Sequence, residues 1–118
     1  MDSIDRHAIA GRVRRLVGGL DPQAIEQASR QLGVSEWALR LSIDPDSPQP
    51  TIEVILAIVR AYGVDPAWLL TGDYDSDTHR FAENDREASI ESVIERVARK
   101  TDTPAHAMLS VLHGRQSA

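Results

Sequence analysis

Aspartates at positions 73, 75 and 77 stand at the spacing of the first three ligands of a calcium loop, and His7, His79, His106 and His113 are possible ligands for a transition metal. Neither set completes a site. The calcium loop needs glycine where Thr78 stands and a bidentate glutamate where Asn84 stands. His106 and His113 lie seven residues apart rather than four, and the other two histidines are remote in sequence. The chain also has no phosphate-cradling glycine loop, no nucleophile elbow and no paired-carboxylate arrangement, so neither catalysis nor a metal or cofactor is expected. What remains is the stretch 33–42, GVSEWALRLS. It reads as a tight turn and a short helix whose exposed-looking residues are Glu36, Trp37 and Arg40, groups suited to touching a partner.

The elements that position this stretch are punctuated regularly. Ile9, Val13, Leu16 and Val17 follow the 3, 4, 7 spacing of an apolar helical stripe that Gly18-Gly19 closes, predicting a first helix over Ile4 to Val17. Asp21-Pro22 is an N-cap followed by proline at the first helical position; Ile25, Ala28 and Leu32 give the second stripe, and Gly33 the left-handed stop. Ser35 caps the third helix, which ends near Ser42 or Ile43 before the proline-rich IDPDSPQP. Thr51 caps a fourth, with Ile52, Ile55, Leu56, Val59 and Tyr62 on one face and Gly63 as its stop; Asp65-Pro66 opens a short fifth that ends at Gly72.

Residues 73–83, DYDSDTHRFAE, carry no periodicity and read as a solvated linker. Beyond them, Ile90, Val93, Ile94 and Val97 form a narrow stripe, and Thr103-Pro104 opens a last helix with Ala105, Met108, Leu109 and Leu112 on one face. No strand signal is present, so the chain is expected to be all-α.

Length and charge bound the function. A chain of 118 residues, 42% hydrophobic, closes one modest core with an appended element. Without cysteine it has neither disulfides nor thiolate metal sites. The opening MDSIDRHAIAGRVRR is too acidic for a secretory leader, and the longest apolar run, Val54 to Val59, is too short to cross a bilayer. A soluble, cytoplasmic protein without membrane contact is expected. The net charge of -5 divides after Gly72 into 7 basic against 9 acidic residues before and 6 against 9 after. Neither half is a basic domain of the kind that displaces phosphate counterions, although a basic face can exist within an acidic total.

The first 72 residues resemble the XRE-type, lambda-repressor-like helix-turn-helix regulators. IAGRVRRLV is similar to their first helix, ASRQLGVS to the second helix and its glycine turn, and PTIEVILAIVRAYGVDPAWLLTG to the fourth and fifth, the most specific part. The resemblance implies a five-helix domain whose third helix enters the major groove of double-stranded DNA. It places base contacts at Glu36, Trp37, Arg40 and Leu41, with Arg40 as a reader of guanine and Glu36 as an acceptor from cytosine. Ser35 at the cap, Ser47 in the following loop, Arg30 late in the second helix and Gln23 are the accompanying DNA-contact candidates. Gln23 stands in for the glutamine that usually opens the second helix, where this chain has Ile25. The loop after the third helix, often basic in the family, reads Asp44-Pro45-Asp46-Ser47 here and would repel phosphate unless it points away.

Two frames of the third helix remain open. In one, Trp37 and Leu41 share an outward face suited to a protein partner or a thymine methyl; in the other, they pack inward. Likewise Arg12, Arg14, Arg15, Arg30 and Arg40 are either scattered surface charges or include a phosphate-facing pair, Arg30 and Arg40.

The tail VARKTDTPAHAMLSVLHGR resembles the opening helix-turn-helix of LacI-type repressors, with Val97-Ala98 and Val111-Leu112 in the matching places, and reads equally as a plain helical hairpin. So small a hairpin must pack on the first domain or on a second chain. The organisation expected is therefore an all-α chain: a five-helix, lambda-repressor-like domain over 1–72, a linker over 73–83, and a carboxy-terminal helical hairpin arm over 84–118. The arm would pair two copies through Ile90, Val93, Ile94, Val97, Met108, Leu109 and Leu112. The function expected is that of a sequence-specific, dimeric DNA-binding transcriptional regulator, not an enzyme; the alternative is a protein-interaction module on the same fold, with Trp37 and Leu41 turned to a partner.

Overall fold

A helix that ends without glycine must find another donor for its last carbonyls, and this need links the first helix of the chain to the third. In the computed structural model, which describes residues 5–84, 90–101 and 112, seven α-helices follow one another with no strand among the described residues. They are α1 (Arg6–Val17), α2 (Pro22–Leu32), α3 (Glu36–Ile43), α4 (Ile52–Tyr62), α5 (Pro66–Thr71), α6 (Ser76–Asn84) and α7 (Ile90–Thr101). The first begins two residues later than the stripe predicts, because Asp5 is its N-cap and accepts from the His7 N–H. Asp21, Ser35, Thr51 and Asp65 cap α2 to α5 through their side-chain oxygens.

Four of the first five helices end on a glycine with positive φ. The exception is α3, whose C-cap is Asp44 at φ -59°. There the Arg14 guanidinium reaches from α1 and donates to the Ile43 carbonyl at 3.3 Å. Its neighbour two positions earlier does the same for α5: Arg12 donates to the Leu69 carbonyl at 3.0 Å. Burial lowers the Arg12 pKa below its ordinary value, with Asp5 and Asp73 acting in the opposite sense. At Gly72 φ is +92°, which disfavours any side chain, and a Cβ there would stand 2.7 Å from the Arg12 guanidinium and push it aside. Two of the arginines read as surface charges are thus half-buried staples.

The core is continuous through α1 to α5 and α7. Ile9 and Val13, Ile25, Leu39 and Ile43, Ile55 and Ile58, and Leu69 and Leu70 are fully buried in one apolar cluster, each contributing about 1.5–3 kcal/mol by burial. Val93, Ile94, Val97, Ala98 and Leu112 belong to the same cluster. Val93, Ile94, Val97 and Leu112, expected to pair two copies, are already covered within this chain itself. The side chains of Ile90, Met108 and Leu109, and the hairpin turn over 102–111, lie outside the described residues.

The second correction concerns residues 73–83. In place of a linker, α6 runs from Ser76 to Asn84, buries Thr78 and packs Phe81 and Ala82 against the core. The reason is tertiary. Asp65, itself buried, caps α5 through the N–H groups of Ala67 and Trp68, and its carboxylate also accepts from the Asp75 N–H at 2.7 Å and from the Thr78 hydroxyl. One carboxylate therefore starts α5 and holds the start of α6 against it. No helix among the described residues is long and apolar enough to cross a membrane.

Candidate functional site

Helix α3 is fixed at both ends and along one side. Ser35 accepts from the Ala38 N–H at 3.0 Å at its start, and Arg14 closes its end. Leu39, Ser42 and Ile43 face the core, and the Ser42 hydroxyl turns back to the Ala38 carbonyl at 3.0 Å. That inward set decides the frame left open by the sequence. Trp37 is outward and 71% exposed, more than Tyr74 or Leu20, while Leu41, four residues on, is half-buried. A tryptophan this open on a rigid helix forgoes the stabilisation that burial of its ring would contribute.

The charges around Trp37 are arranged in pairs. Arg40 lies 3.9 Å from Glu36, and Arg30 lies 2.6 Å from Glu26; both are exposed i, i+4 pairs within a single helix. Arg30 and Arg40 therefore each face a carboxylate of their own helix. Over residues 21–50 the two arginines stand against five acidic residues, Asp21, Glu26, Glu36, Asp44 and Asp46, a balance of -3. The loop after α3 is internally braced: the Asp46 N–H donates to the Asp44 carboxylate at 2.9 Å, and the Gln49 N–H to the Leu41 carbonyl at 2.8 Å. Ser47 is exposed at its tip.

The remaining candidates separate by position. Gln23 sits exposed in the first turn of α2, its backbone N–H donating to Asp21. Ser35 serves as the cap of α3, so its oxygen has a structural partner beside any ligand. Leu32, Val34, Leu56 and Ala57, with Glu53 and Arg60, line a groove of about 490 Å³ between α2 and α4. The seam candidates Val93, Ile94, Val97 and Leu112 are buried and present no surface.

Of the histidines, His7 is exposed at the start of α1, and His79 on α6 lies with Nδ1 3.2 Å from the Tyr74 hydroxyl and Nε2 3.9 Å from Glu83. His106 and His113 fall outside the described residues. Asp75 and Asp77 are drawn into the first turn of α6, where the Asp77 N–H donates to the Asp75 carboxylate at 3.0 Å. No group of three or more histidines and carboxylates gathers among the described residues.

The chain matches no protein-family model, no curated protein and no solved structure.

Proposed function

We propose that the chain is a sequence-specific DNA-binding regulator of the XRE, lambda-repressor-like kind, with α2, the Gly33 turn and α3 as its helix-turn-helix. One observation carries the reading. The positions that the family resemblance assigns to base contact include Glu36, Trp37 and Arg40, and these are the exposed residues of an α3 anchored by Leu39 and Ile43. Arg40 supplies a planar fork for guanine, Glu36 an acceptor for the cytosine amino group, and Trp37 an apolar face for a thymine methyl. Gln23, Arg30, Ser35 and Ser47 flank the helix as backbone contacts.

The charge balance of -3 shapes how such binding works. Arg30 and Arg40 must leave Glu26 and Glu36 to engage DNA, so non-specific attraction is weak and affinity comes from base readout. Two copies on paired half-sites complete the reading. Their mating surface lies elsewhere than Val93, Ile94, Val97 and Leu112, which one chain already buries.

A second reading is supported by the same charge balance: α3 docks a protein, with Trp37 and the half-buried Leu41 as its anchor. Selection of duplexes from a random library followed by binding to Arg40→Ala tests the first reading. Loss of about 1 to 3 kcal/mol at a single base pair is expected for a bidentate reader. Failure to select any sequence, or a selected duplex that Arg40→Ala binds as the parent does, rejects it in favour of the protein surface.

A further inference from the structure

The cleft between α6 and α7 holds two guanidinium groups that no carboxylate pairs among the described residues. It has a volume of about 400 Å³ and is lined by Asp77, Arg80, Phe81, Asn84 and Arg96. The Arg96 guanidinium carbon lies over the Phe81 ring, 4.7 Å from its centroid, a cation–π contact that restrains the side chain. Its Nε is enclosed and has no hydrogen-bond partner. Arg80 is exposed on the neighbouring turn of α6. Arg14 also has an enclosed, unpartnered Nε, but its Nη2 donates to a carbonyl; Arg12 likewise donates to a carbonyl, and Arg30 and Arg40 pair with glutamates.

Unpaired guanidinium donors in a concave site are unusual in a chain of net charge -5, because acidic side chains are plentiful and a buried donor left unsatisfied costs free energy. A planar fork matches the two oxygens of a carboxylate or phosphoryl group, and a fork already held by a ring loses little freedom on binding. The Asn84 amide can add neutral donors. With Asp77 on the rim, the lining carries two positive charges against one negative, which suits a single anionic group rather than a polyanion. We propose that this cleft binds a small oxyanion, a free carboxylate or phosphate, between Arg80 and Arg96. The bound anion bridges α6 to α7, and so bears on the placement of the helix that closes the core beneath α5. The proposal stands apart from the role of α3.

The test uses the full chain, titrated with inorganic phosphate and separately with acetate, against sodium chloride of equal ionic strength. Saturable binding is expected for at least one oxyanion, with the Arg80 and Arg96 Nε–Hε resonances shifting together. The melting temperature should rise with that anion and not with chloride. Arg80→Gln, at an exposed position, and Arg96→Gln should each weaken binding about ten-fold or more, the loss of a charge-assisted bond; Arg96→Lys, which keeps charge but not the fork, should not restore it. The proposal is overturned if neither anion saturates, if Arg80→Gln and Arg96→Gln together bind as the unmodified chain does, or if only duplex DNA perturbs these two arginines.

Discussion

The Arg14 guanidinium, three residues from the end of α1, donates to the carbonyl of Ile43 in the last turn of α3. The helix that presents Trp37 thus owes its carboxy-terminal cap to another element, while its amino-terminal cap, Ser35, is local. Arg14→Met keeps the apolar stem and removes the donor, leaving the Ile43 carbonyl without it. A loss of about 1–3 kcal/mol in urea denaturation is expected. An unchanged midpoint would mean that water replaces this cap without cost.

Trp37 and Leu39 stand two residues apart on opposite sides of α3, one 71% exposed and the other fully buried. Trp37→Ala should leave stability within about 0.5 kcal/mol of the parent. Leu39→Ala should lose about 2–5 kcal/mol. Thermal denaturation of the two variants side by side checks this, and equal losses would place Trp37 in the core after all.

Much of the architecture is legible locally. Asp21-Pro22, Ser35, Thr51 and Asp65-Pro66 start helices, and Gly33, Gly63 and Gly72 stop them, through contacts a few residues long. Helix α6 is not legible in this way: its inward residues, Thr78, Phe81 and Ala82 with the partly buried His79, make no apolar stripe, and what holds its first turn is Asp65, ten residues before Asp75. The stripe Val93, Ile94, Val97 is plain in the sequence, but amphipathicity states that a face is covered and not by what. For the candidate site, Leu39 and Ile43 settle the frame of α3 only once the core around them is known. The pairing of Arg30 with Glu26 and of Arg40 with Glu36 follows from their i, i+4 spacing and could have been read from it.

Thr78→Val removes the hydroxyl that Asp65 accepts from while nearly keeping the volume. Destabilisation of about 1–3 kcal/mol is expected, because the buried carboxylate loses a donor. Amide exchange should quicken first in α6, with α4 keeping its protection. Uniform quickening through all helices would show that α6 does not open separately.

Ile94→Asp distinguishes a seam inside one chain from a seam between two. Ile94 is 1% exposed within the single chain, so an unpaired carboxylate there should cost about 4 kcal/mol or more and lower the melting temperature steeply. A variant that melts as the parent does, yet sediments at half its mass, would return the stripe to an interface between copies.

Binding of the full chain to its selected duplex, followed by fluorescence anisotropy as salt is raised, addresses the DNA reading most directly. Each phosphate neutralised contributes about -0.9 to the slope of log affinity against log salt. With Arg30 as the cation assigned to phosphate in each of two copies, the slope should be shallow, about -2, and should flatten by about one unit per copy in Arg30→Ala. Trp37→Ala should relax the preference at the thymine it faces while the fold persists and Arg40 keeps its guanine. No affinity for any duplex above that of an acidic control protein, at any salt concentration, would contradict the assignment and leave Trp37 as the anchor of a protein surface.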